Sequence, residues 1–154
     1  MHEALLAEVL AAFAEDRARP PATSLRGGDA LDDYREPPRF DAAVDAVTDG
    51  YLYRYHWGVG FLDAASWRHY LPALVEHALR GFELAGDVTI DAMLRSLRAP
   101  DGDPPRLASL STAQEAAIVG VPDLLAFSER SKYAEEAQRA LEEWWAPGAL
   151  FRPS

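Results

Sequence analysis

Trp67, Tyr70, Leu71, Leu74, Val75, Ala78, Leu79 and Phe82 recur at intervals of three and four residues. That spacing puts them on one face of an α-helix more than four turns long. A stripe this wide needs other elements laid against it. It also runs straight through Pro72, which removes one backbone hydrogen bond and crowds the carbonyl of Arg68. The unbroken register predicts one kinked helix rather than two, capped by Asp63 and ended by Gly81 to Gly86.

The neighbouring segments repeat the pattern. Residues 3–17 place Leu5, Leu6, Val9, Ala12 and Phe13 on one stripe, with Arg19-Pro20-Pro21 as the stop. Asp87 caps a helix with Ile90, Met93, Leu94 and Leu97 inward. Ser111-Thr112-Ala113-Gln114 is a capping box for a helix to about Val119. Pro122 opens a short helix through Leu124, Leu125 and Phe127. A last helix, about Ser131 to Trp145, turns Tyr133, Ala137, Leu141 and Trp144 inward. These readings predict an all-α fold, a single domain over residues 1–154 with five to seven helices. With 49% hydrophobic residues the chain can cover its own core.

Two stretches are less regular. Residues 20–40, with Pro20-Pro21, Gly27-Gly28 and Pro37-Pro38, read as a long connection: a surface wrap, a lid, or a segment helical around Ala30 to Arg35. Asp41 to Thr48 reads as a short helix that buries Phe40, Val44 and Val47, ended at Asp49-Gly50. Residues 51–61 fit two periods. Tyr51, Tyr53, Tyr55, Trp57, Val59 and Phe61 alternate as a short strand would, whereas Leu52, Tyr55, Val59 and Leu62 fit a helix. One or two helical turns up to Trp57, followed by an irregular Gly58-Val59-Gly60 turn, is the favoured reading. Asp101-Gly102-Asp103 lacks the downstream ligands of a calcium loop and reads as a turn.

Composition narrows function by exclusion. There are no cysteines, so disulfides, thiolate metal sites and thiol catalysis are ruled out. The net charge is −10, with Lys132 the one lysine and the arginines scattered, so no basic patch exists to hold nucleic acid or an anionic membrane surface. No apolar run approaches the ~20 residues of a membrane span. The first residues are acidic, unlike a signal peptide, and a cytoplasmic location is expected. No motif for a cofactor, a metal or a catalytic triad is present: Gly58-x-Gly60 lacks both the third glycine and the βαβ unit of a dinucleotide site. No catalytic residue is assigned.

What remains is aromatic and acidic. Residues 51–72 hold seven of the sixteen aromatics. Most are expected in the core, with Tyr55, Phe61, Leu62, Trp67, Tyr70 and Leu71 inward. Tyr51, Tyr53, Arg54, His56 and Trp57 form the candidate binding set, because Tyr and Trp favour interfaces and Arg54 and His56 sit among them. His69 joins them as a polar residue on the far face of the Pro72 helix, with Glu76 and Arg80. From Asp29 to Asp49 seven acids face two arginines, a segment suited to a basic protein partner. The leading class is therefore a small protein-binding domain of adaptor- or immunity-like type. The alternative is a small hydrolase using His56 with a nearby carboxylate.

The block Arg54-Tyr55-His56, Phe61-Leu62 and Trp67-Arg68-His69-Tyr70-Leu71-Pro72-Ala73 resembles the signature of a bacterial protein family of unknown function. Asp87 to Leu97, the Ser111 capping box and the terminal Ala-Leu-Glu-Glu-Trp extend the likeness over roughly residues 40–145. The chain departs from it at Asp63-Ala64, where the family tends to Thr-Pro, and at the glycines of 58–60. The resemblance implies a mostly helical domain and no particular activity.

Overall fold

In the computed structural model, which describes residues 2–99 and 104–153, the Pro72 helix is the axis of the molecule. It runs unbroken from Ala64 to Gly81 with Pro72 inside it, and the Asp63 carboxylate accepts a hydrogen bond from the Ser66 amide at 3.2 Å. Every residue of the expected stripe is buried, Trp67, Tyr70, Leu71, Leu74, Val75 and Ala78 completely.

Ten α-helical segments and no strand occur among the described residues: α1 Glu3–Ala12, α2 Ala14–Ala18, α3 Leu25–Asp32, α4 Asp49–Arg54, α5 Ala64–Gly81, α6 Val88–Ser96, α7 Pro104–Ala108, α8 Thr112–Ile118, α9 Gly120–Phe127 and α10 Ala134–Ala140. A 3-10 turn, His56–Phe61, lies between α4 and α5, and a π-helical turn, Leu141–Trp145, extends α10. The fold is all-α. The excess over five to seven helices comes from the short α2, α4 and α7. α5 packs against α1, α2, α6 and α7, while α6 also meets α10 and the 3-10 turn. Their buried apolar side chains form one continuous cluster.

The caps read from the sequence hold at α5, α6 and α8. Asp87 Oδ1 accepts from the amides of Thr89 and Ile90, and Ser111 with Gln114 closes both halves of the capping box. The segment 101–103 lies outside the described residues.

Several expectations are corrected. Residues 3–17 form two helices, broken at Phe13, which is fully buried at the joint. The break lets α2 carry Asp16 to α5 and α8: its carboxylate accepts from Arg68 Nε at 3.1 Å and Gln114 Nε2 at 2.8 Å.

The 20–40 connection contains α3, whose N-cap is Ser24, the hydroxyl accepting from the Gly27 amide at 2.9 Å. Gly27-Gly28 is inside this helix, not a turn. A Cβ on Gly28 would run into the Gly58 carbonyl, and one on Gly58 would meet the Leu25 carbonyl and, at 2.7 Å, the Asp29 amide. Both glycines are therefore present because α3 and the 3-10 turn touch backbone to backbone.

Asp41 to Thr48 is not a helix. Val44 and Val47 are exposed, and the buried residue is Asp45. Asp49 begins α4 instead of ending a helix, with Thr48 Oγ1 accepting from the Tyr51 amide at 3.0 Å. Phe61, expected inside, is 46% exposed.

Candidate functional site

The first half of the aromatic stretch resolves into α4 followed by the 3-10 turn. This path decides which side chains turn outward. Tyr51 is buried, its hydroxyl donating to Asp45 Oδ1 at 2.7 Å. Tyr55 is half-buried and packs edge-on to Tyr51, with Arg54 lying over its other face at 5.3 Å. Tyr53 and Trp57 are exposed, Trp57 by 57%, and with Phe61 they leave three aromatic rings in solvent within nine residues. A helical path sends Arg54 and His56 apart, as their spacing requires.

The turn is held from three directions. Gly58 sits on α3, as described above. Val59 and Leu62 are buried. From α7, Arg106 donates Nη2 to the carbonyls of Val59 and Leu62 at 2.7 Å each, and Nε to Leu62 at 3.1 Å. A buried guanidinium bound to carbonyl oxygens fixes the end of the turn in one place. Trp57 and Phe61 are thus rigidly mounted, although exposed.

Behind them lies a cleft of about 480 Å³ between the end of α3, the 3-10 turn, α6 and Arg106. His56, Trp57 and Phe61 line one side; Asp91, Arg95 and Ser96 from α6 line the other, and Asp32 and Arg98 complete it. His56 Nδ1 is 2.6 Å from the Tyr53 carbonyl, which can only accept, so Nδ1 carries the proton. Its ring lies against Trp57 with centroids 4.8 Å apart. Ser96 donates its hydroxyl to the Met93 carbonyl at 2.6 Å. Burial pushes the Asp91 carboxyl above its ordinary range; Glu136 adds to the effect and Arg95 opposes it. Arg98 is paired with Glu143 through two bonds of 2.8 and 2.7 Å.

His69 is not part of this place. Its Nδ1 bonds the Asp16 carbonyl at 3.0 Å and its ring meets Tyr70 edge-on. Of the expected binding set, His56 and Trp57 line the cleft, Tyr53 and Arg54 stand on the surface nearby, and Tyr51 is structural. Sequence reasoning took Asp32 only as part of the acidic segment and passed over Asp91 and Arg95. The only signal for the last two was their four-residue spacing on the polar face of α6, which ordinary solvated helices share.

The acids between Asp29 and Asp49 mostly serve as fastenings. Asp45, completely buried, accepts from Arg26 Nε and Nη2 at 3.0 and 3.2 Å, from the Asp41 amide at 2.8 Å and from Tyr51. Burial opposes its ionisation, but the Arg26 guanidinium, the Asp41 amide and the Tyr51 hydroxyl outweigh that and hold its carboxyl below the ordinary range. Asp49 takes two bonds from Arg80 and one contact from His77, which bring it down to about 2. The other ring nitrogen of His77 meets Asp87 at 2.7 Å, so His77 joins the first residue of α4 to the cap of α6. Arg35 is shared by Asp33 and Asp29 at 3.4 and 3.8 Å.

Among the described residues no helix is long and apolar enough to cross a membrane, and no group of three or more His, Asp or Glu is placed to hold a metal ion.

These features define a helical domain with an aromatic-rimmed cleft. The chain belongs to a family of unknown function, DUF6714, matched over residues 1–149. That is wider than the span on which the resemblance was read. No curated protein and no solved structure matches it.

Proposed function

We propose that this domain is a protein-binding module that receives part of its partner in the cleft behind Trp57 and Phe61. The observation that carries the reading is the mounting of those two rings. Each leaves about half its surface in water, yet the turn bearing them is clamped by Gly58 on α3 and by Arg106. Trp is among the residues in which binding hot spots are enriched, and this one stands beside a concave surface. A rigid mount lowers the ordering cost of association. The cleft volume falls in the range of roughly 300–1,000 Å³ typical of ligand sites. An adaptor- or immunity-like role in the cytoplasm is the biological form of this proposal.

The hydrolase alternative has less support. Among the described residues no carboxylate bonds either nitrogen of His56, and Ser96, the hydroxyl in the cleft, is spent on a helix carbonyl. A basic partner docked on Asp29 to Asp49 also has less to stand on, since Asp29, Asp33, Asp45 and Asp49 are already paired with arginines. Asp32, Glu36 and the exposed Tyr34 would be its contact points.

The test is affinity capture from native cell extract with the wild type, Trp57→Ala, and Leu84→Ala as a control at an exposed position outside the cleft lining. A protein held by the wild type and by Leu84→Ala, and lost from Trp57→Ala at unchanged melting temperature, is the expected result. Equal retention by all three would refute the cleft as the binding site.

A further inference from the structure

The charges lining the cleft run against the rest of the chain. The molecule carries a net −10, yet the described cleft residues include Arg95, Arg98 and Arg106 against Asp32 and Asp91. Arg98 and Arg106 are engaged, on Glu143 and on the carbonyls of Val59 and Leu62. Arg95 differs from them. It stands on the exposed side of α6, lines the same cleft as the aromatic rim, and makes no hydrogen bond or ion pair with any described residue. Asp91, one turn earlier on the same helix, does not come within ion-pair distance of it. A cation and two apolar rings thus line one space, too small for a broad protein interface and large enough for one anchoring residue.

We infer that the cleft captures the C-terminal residue of its partner chain: an aromatic or large aliphatic side chain lies against Trp57 and Phe61 while its α-carboxylate meets Arg95. The inference rests on the protein-binding reading and names what enters the site. A chain end supplies both requirements from one carbon, the apolar body and the anion. It also needs only one way in, whereas an internal acidic segment must carry its chain out on both sides. The Arg95 guanidinium presents a fork of donors that fits a carboxylate in two parallel bonds. Capture of a terminal carboxylate is a recurring mode of peptide recognition, served here by a guanidinium in place of a backbone nest.

The experiment titrates the full chain, labelled with ¹⁵N, with three short acetylated peptides. One ends in Gly-Gly-Phe with a free carboxylate, the second is its C-terminal amide, and the third places Phe-Asp inside an amidated peptide. The indole N–H signal of Trp57, assigned from Trp57→Ala, reports occupancy. The free carboxylate peptide should bind at least about fivefold tighter than its amide, as one partly exposed charge-assisted contact allows. Arg95→Gln should erase that preference without moving the melting temperature. Equal binding of acid and amide, a preference that survives Arg95→Gln, or no saturable shift with any peptide at millimolar concentration would each overturn the inference. Tighter binding of the internal Phe-Asp peptide would overturn the chain-end source. Loss of a captured partner from Trp57→Ala with full retention by Arg95→Gln would sink this inference alone; capture independent of Trp57 would sink the protein-binding reading with it.

Discussion

Asp45 is the sharpest test of how the irregular segment between α3 and α4 is held. Asp45→Ala removes the acceptor for two Arg26 bonds, the Asp41 amide and the Tyr51 hydroxyl at once. Breaking one side of a buried ion pair costs about 3–5 kcal/mol, because the remaining charge is left unpaired. Here Arg26 is 23% exposed at its side chain and keeps one bond to the Arg39 carbonyl, so water takes up part of the loss. The expected cost is then about 3 kcal/mol, a large share of the roughly 5–15 kcal/mol that stabilises a domain. For a chain of this size that corresponds to a fall in melting temperature of roughly 6–12 °C. Urea denaturation followed by circular dichroism measures it. Tyr51→Phe should cost about 1 kcal/mol alone and less in the Asp45→Ala background, since the two groups share a bond. The effect also has a sign with pH. The folded Asp45 carboxyl lies below its unfolded value, so its contribution is complete above about pH 4 and fades as pH falls through the folded value. The difference between wild type and Asp45→Ala should shrink accordingly in acid. A loss below about 1 kcal/mol at neutral pH, or a loss that does not fade in acid, would refute the account of Asp45 as a charged fastening.

The glycines of the 3-10 turn should behave oppositely. Gly58→Ala must push α3 away and should destabilise by about 1–3 kcal/mol or more, whereas Gly60→Ala, with nothing near its added methyl, should change the denaturation midpoint little. Asp49 gives a second acid-dependent term. Its carboxyl sits at about 2 because of Arg80 first and His77 second, so the support it gives is present above about pH 4 and is lost towards pH 2. Asp49 is 53% exposed, so solvent limits the effect to below about 1 kcal/mol; Arg80→Ala should show a small midpoint decrease at neutral pH that high salt or acid abolishes.

The sequence by itself determined the helical frame. The stripe from Trp67 to Phe82 fixed the register of α5 through Pro72, and the side chains of Asp63, Asp87 and Ser111 fixed where α5, α6 and α8 begin. Periodicity and capping act over a few residues, so they are written in the local order of the chain. Tertiary structure alone decided what those helices do to one another. Val44 and Val47 look like core residues but lie outside, because Asp45 between them has Arg26 and Tyr51 waiting in the interior, 19 residues before it and 6 after. Gly28 and Gly58 look like turn residues and are a contact between backbones 30 positions apart. Phe61 reads as core and Trp57 as a candidate for the surface, and the 3-10 path with the grip of Arg106 on Val59 and Leu62 turns both towards solvent and the cleft. Each of these outcomes depends on the partner that a distant segment brings, which a local pattern of polar and apolar residues does not encode.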